Sequence, residues 1–213
     1  MTGPRPEASA ECVTWGVAGR AMPGETENGD QALHVDLDDG VLVAAVDGLG
    51  HGPEAADAAA RALAVVEGHT GEPVDDIEVD AVVSDAHAQL TRTRGVAMTL
   101  ATIGCAGHMR WLGVGNVEAH VLRADGSRVQ RIASAVLYGG VVGYRLPRLR
   151  VSTVQLGLGD VVVMATDGID AAFTDQVVLA DPPQRLAERL LERCARPNDD
   201  ALVAAVRYLG RTT

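Results

Sequence analysis

Apolar and polar positions along this chain fall into two rhythms. Residues 1–11, rich in Pro, Ala, Ser and Glu, read as a flexible N-terminus. An apolar run at 12–18 predicts a first strand, and Arg20 to Gly29, with Pro23 and Gly24, predicts a polar loop. Strands follow at 31–37 and 41–47, joined by Asp38-Asp39-Gly40, a hairpin signal. The rhythm then becomes helical. Pro53 to about Gly68 is Ala-rich, with Pro53 suited to a first helical turn. Residues 75–93 carry Ile77, Val79, Val82, Val83, Ala86 and Leu90 near the helical period. Acidic residues open this second helix and Arg92 and Arg94 close it, the order that suits the helix dipole. Strand runs return at 96–104, 108–114, 117–123, 128–133, 149–155 and 160–166. A helix over 183–195 and a strand over 201–208 complete the pattern. The strands are grouped apart from the helices, so the expectation is one α+β domain over residues 12–213.

Composition narrows the chemistry. The 213 residues are 47% hydrophobic but only 3% aromatic, with a single Phe, so Val, Ala, Leu and Ile must build the core. All 18 basic residues are Arg. Without Lys there is no Walker-type phosphate Lys, no Schiff base and no kinase Lys. The net charge of −11 argues against a nucleic-acid binder. Cys12, Cys105 and Cys194 are odd in number and far apart, which predicts neither a disulfide framework nor a zinc cluster. Cys105, in a predicted strand, reads as a small buried hydrophobe. No run approaches 18 apolar residues and the start has no apolar signal core, so the expectation is a soluble, cytoplasmic protein with no membrane partner.

Four acidic spots sit at the ends of apolar runs: Gly29-Asp30, Asp47-Gly48, Asp167-Gly168 and Asp199-Asp200. Asp-Gly is a frequent turn, and Asp is a frequent helix cap, so each spot has an ordinary structural use. Yet Asp47 and Asp167 end runs that read as buried strands. A carboxylate there is costly unless paired, protonated or metal-bound. With no Lys in the chain and no Arg beside Asp167, a shared divalent cation is the economical partner. Carboxylate, carbonyl and water ligands suit Mg2+ or Mn2+, and His or Cys at zinc spacing is missing. Around Asp47 the chain reads A-A-V-D-G-L-G-H-G-P-E-A-A, residues 44–56, and its glycines let backbone approach an ion or phosphate. The spacing Gly48-x-Gly50-x-x-Pro53 departs from a dinucleotide-binding fingerprint.

Five motifs run in order along the chain: E-N-G-D at 27–30, V-D-G-L-G-H-G at 46–52, G-V-G-N-V at 113–117, A-T-D-G-I at 165–169 and N-D-D-A-L at 198–202. Together they resemble the metal-dependent PPM-type serine/threonine protein phosphatases in their SpoIIE-like branch, nearest the stand-alone RsbX-like phosphatases. The resemblance implies a four-layer α-β-β-α sandwich of two antiparallel sheets flanked by helices, with a two-metal site at one edge. It implies that Asp47 bridges two ions, Mn2+ or Mg2+, and that the Gly48 carbonyl holds the second. Asp167 and Asp199 would complete the first. Asp30 would stand behind these ligands or bind through water, and Asp200 would orient metal-bound water. Leu202 stands where relatives usually have Thr. Arg20 is a distant candidate for holding phosphate.

The implied reaction is hydrolysis of phosphoserine or phosphothreonine on a STAS-type regulatory protein of stressosome or sigma-factor control, by metal-activated water. His51, in the Gly-rich loop, is the nearest titratable candidate to protonate the leaving oxygen, although a loop His is often simply solvated. Gly115-Asn116 reads as a tight strand connection. Two rival readings stay open at this point: a non-catalytic interaction module that keeps the fold, and a metal phosphohydrolase acting on a small molecule.

Overall fold

The computed structural model describes residues 12–126 and 128–211, so the expected flexible N-terminus lies outside the described residues. The strands are β1 (Val13–Arg20), β2 (Asp30–Leu37), β3 (Gly40–Gly48), β4 (Val96–Gly104), β5 (His108–Val114), β6 (Glu118–Asp125), β7 (Arg128–Ser134), β8 (Leu137–Tyr138), β9 (Ser152–Gln155), β10 (Val161–Ala165) and β11 (Ala201–Tyr208). The helices are α1 (Pro53–Glu67), α2 (Val79–Gln89) and α3 (Pro183–Cys194). One sheet has the order β1-β11-β10-β6-β7, and the other β2-β3-β4-β5-β8 with β9 also paired to β5. Pairing is antiparallel except for the short β5–β8 contact.

The all-apolar strands follow from burial on both faces. In β3, Leu42, Ala44 and Val46 join the core beneath α1 and α2. Val41, Val43 and Ala45 face the other way, into the core between the sheets. In β10, Val162 and Met164 enter that same central core, while Val161, Val163 and Ala165 pack with Leu186 and Leu190 of α3. Period-2 alternation therefore splits each strand between two cores. The result is the expected four layers: α1 and α2, one sheet, the other sheet, and α3. Cutting a fully buried Leu such as Leu42 or Leu100 to Ala would cost about 2–5 kcal/mol.

Three expectations need correction. The second helix starts later than residue 75, because Arg110 donates to the carbonyls of Val74 (2.7 Å) and Ile77 (2.9 Å) and Asp39 accepts from the Val74 amide. Those backbone groups are committed outside a helix, while Val74 and Ile77 still fill the core. The strand expected at 149–155 is only β9, since Leu149 and Val151 pack sideways onto the helical core. Finally, Cys12 and Cys105 form a disulfide, with Cα atoms 5.2 Å apart although 93 residues separate them. The start of β1 and the turn after β4 meet across the sandwich, which no sequence spacing reveals. Cys105 is thus buried but bonded, and Cys194 is free. No helix among the described residues is long and apolar enough to cross a membrane.

Candidate metal centre

The motif aspartates gather at one edge of the paired sheets. β2 and β3 are in antiparallel register with Asp30 directly opposite Asp47. Asp167 follows the end of β10, and Asp199 and Asp200 precede the start of β11, its neighbour. Like charges directly opposite on a sheet repel. Burial first, and then the charge of Asp47, push the Asp30 carboxyl up to about 8. Burial, then Asp167 and Asp199, push Asp47 up to about 7. Asp199 is also raised, by burial and by Asp167. None of these aspartates enters an ion pair among the described residues.

Asp30 is 4% exposed, and its Oδ2 has no hydrogen-bond partner. Asp200 is also buried, but differently used. Its Oδ1 accepts from the Met22 amide (2.7 Å) and its Oδ2 from the Gly29 amide (3.0 Å). It thereby ties the polar loop before β2 to the start of β11. Gly29 is required here: a Cβ would lie 2.7 Å from Asp200 Oδ2 and 2.9 Å from the Ala55 Cβ, so no larger residue fits beside Asp30. Gly48 is required too, since a Cβ would stand 2.1 Å from the Ala55 carbonyl oxygen of α1.

The sequence reads Gly115-Asn116 as a tight strand connection, and Gly115 does turn tightly, with φ +92°. That turn delivers the Asn116 amide, which donates to Asp167 Oδ2 at 2.6 Å and also lowers the Asp47 carboxyl. Thr166 is a second addition: its hydroxyl accepts from the Leu202 amide (2.9 Å) and, beside Asp30, favours the charged carboxylate. Leu202 itself is buried in the inter-sheet core. His51 is exposed, and its Nδ1 lies 2.6 Å from Glu25 Oε1. Arg20 ends β1 opposite Ala201, donates to the Arg196 carbonyl, and buries an unpartnered Nε.

An orphaned buried carboxylate oxygen within an all-oxygen donor set fits a hard divalent cation. Among the described residues no three acid, His or Cys side chains converge tightly enough to clasp an ion alone. Mg2+ does not need that, because it keeps several waters and takes one or two carboxylates.

A family model for Stage II sporulation protein E (SpoIIE) matches residues 37–209. No curated protein matches the chain by sequence. Among solved structures, one described as belonging to the bacterial stressosome, a modular system adapted to control secondary messenger signalling, is 27% identical with a TM-score of 0.78, covering 92% of this chain and 99% of that one. RsbX in complex with magnesium is 17% identical with a TM-score of 0.75, covering 92% and 95%. The catalytic domain of the serine/threonine phosphatase PstP with two manganese ions is 17% identical with a TM-score of 0.69, covering 92% and 98%.

Proposed function

The chain belongs to the SpoIIE family of PPM-type phosphatases, and from that premise we propose that it hydrolyses phosphoserine or phosphothreonine on a STAS-type bacterial regulatory protein. The similarity to a stressosome structure supports this choice of substrate. The observation that carries the reading is the unpartnered Asp30 oxygen, buried across from Asp47, with no ion pair to either carboxylate among the described residues.

Asp47, Asp167 and Asp199 would hold two divalent ions, Mn2+ or Mg2+, together with the Gly48 carbonyl. Bound there, the ions would acidify water and neutralise phosphoryl oxygens. Asp30 stands behind Asp47, directly across the β2–β3 ladder from it. Asp200 acts through the backbone it anchors, holding Gly29 and so the register of Asp30 against Asp47. Asn116 orients Asp167 by its amide. His51, braced by Glu25, is the candidate acid for the leaving seryl or threonyl oxygen. Arg20, a distant candidate for holding phosphate, ends β1 beside the chain that leads into β11 and donates to the Arg196 carbonyl there.

The test uses the full chain, an aryl phosphate and Mn2+. Turnover is expected to vanish in excess chelator and to return with added Mn2+. Turnover that persists in excess chelator would overturn metal dependence. Binding of a phosphorylated STAS protein without any turnover would instead support the interaction-module reading.

A further inference from the structure

The chain has no acidic residue between Asp125 and Asp160, a stretch that holds five arginines in a protein of net charge −11. Three of them, Arg145, Arg148 and Arg150, fall in the loop of residues 139–151, and all three are exposed. The arginine–carboxylate pairs among the described residues use Arg61, Arg94, Arg123, Arg185 and Arg189, and none of these three.

This loop borders the candidate metal centre. At its start, the Tyr138 carbonyl accepts from the Gly115 amide (2.9 Å), next to the Asn116 that holds Asp167. Further on, Val142 and Val96 exchange both backbone hydrogen bonds at 2.9 Å. The preceding Gly95 carbonyl accepts from Leu49, inside the D-G-L-G-H-G loop. The loop is also fixed from below. The Gly143 amide donates to His87 Nδ1 of α2 at 2.9 Å, and residues 141 and 145 close a tight turn. Leu146, Leu149 and Val151 pack onto the helical core while the arginines between them face solvent. Their guanidinium groups are therefore displayed from an ordered backbone, so less entropy is lost when they bind. A guanidinium fork matches a carboxylate in two parallel hydrogen bonds.

We propose that Arg145, Arg148 and Arg150 dock the acidic sequence that flanks the phosphorylated residue of the substrate, so that the enzyme selects phosphoproteins with carboxylate-rich flanks. This rests on the phosphatase reading. The net charge of −11 disfavours such a segment over the protein as a whole, and the loop attracts it beside the strand ends that lead to Asn116 and the D-G-L-G-H-G loop. Like charges elsewhere thus favour one orientation.

Two fluorescent phosphoserine peptides of equal length test this, one flanked by Asp and Glu and one by Gly and Ser. Anisotropy reads docking to the full chain without requiring turnover, and phosphate release with Mn2+ reads catalysis. The acidic peptide is expected to bind about tenfold more tightly at low salt, with the advantage lost near 0.5 M NaCl as charges are screened. Arg148→Glu/Arg150→Glu should lower the ratio of kcat/KM on the acidic peptide to that on the neutral one by about tenfold, mostly through KM. Arg148→Gln/Arg150→Gln, checked by its melting temperature, gives the same direction if the charge reversal does not fold. Equal binding of the two peptides overturns the proposal, as does tighter binding to phosphatidylglycerol vesicles than to the acidic peptide. Loss of all turnover with the binding preference intact would instead count against the phosphatase reading alone.

Discussion

Strand β10 has a buried aspartate at each end of its neighbourhood, and the two are held in opposite ways. At its start, Asp160 is fully buried and takes Arg123 by both oxygens, at 2.7 and 2.6 Å, with a third bond from the Gly157 amide at 2.8 Å. Past its far end, Thr166 leans on Asp30, which has an oxygen with no partner and three other aspartates raising its carboxyl. Both residues are acids inside an apolar sandwich. Asp160 carries its own cation within the chain, so it is structure. Asp30 and Asp47 do not, and under the proposed function they are acids arranged for a cation that comes from outside. Burial alone would class them together, and the missing arginine separates them.

The widest separation between the two ends should appear under isosteric substitution. Asp47→Asn is expected to cut aryl phosphate turnover about 10³-fold or more, on the order of 4 kcal/mol of barrier, while leaving the chain folded. Asp160→Asn should do the reverse. It should keep turnover per folded molecule near wild type and lose about 2 kcal/mol of stability. That is less than the ~3–5 kcal/mol for breaking a fully buried pair, because Arg123 is 42% exposed and water can take up its charge. Turnover with the melting temperature measured alongside decides it. A fully active Asp47→Asn protein would erase the distinction.

Metal should sharpen the same contrast through stability. Ligand that binds only the folded state stabilises it by about 2.7 kcal/mol at a hundred times its Kd. Thermal melts with and without saturating Mn2+ should show an increment of that order in wild type. The increment should be the same in Asp160→Asn, whose site is untouched, and smaller in Asp30→Asn, which loses the unpartnered carboxylate oxygen across from Asp47. An equal increment in all three would place the ions elsewhere.

Much of this contrast is legible in the sequence. Strands β3, β10 and β11 are near-continuous apolar runs ending or starting at Asp, so their bounds and the cluster of Asp30, Asp47, Asp167 and Asp199 follow from pattern and motif. What stays hidden depends on which distant segments meet. Asn116 is 51 residues from the Asp167 it bonds, and its G-V-G-N-V setting looks like any turn. The Cys12–Cys105 bridge joins opposite sheets across 93 residues. Thr166 stands beside Asp167 in sequence, but its value lies in reaching Asp30 and the Leu202 amide on other strands. The late start of α2 depends on Arg110, a β5 residue that takes carbonyls from a segment more than 30 positions away.

Asn116 provides the finest test, because it touches the site only through others. Its amide donates to Asp167 at 2.6 Å and eases the charge on Asp47, so it fixes the direction in which Asp167 offers its other oxygen. Partners that orient metal ligands typically contribute 10–100-fold to affinity or activity when removed. Asn116→Ala is therefore expected to lower turnover about tenfold at fixed Mn2+ and to raise the Mn2+ concentration needed for half activity. Asn116→Asp distinguishes orientation from bulk: it keeps the shape, loses the donor and adds a charge facing Asp167, so it should be worse than Ala. If Asp at this position performs as well as Asn, the hydrogen bond does not orient the ligand, and Asn116 returns to being only the corner of a strand connection.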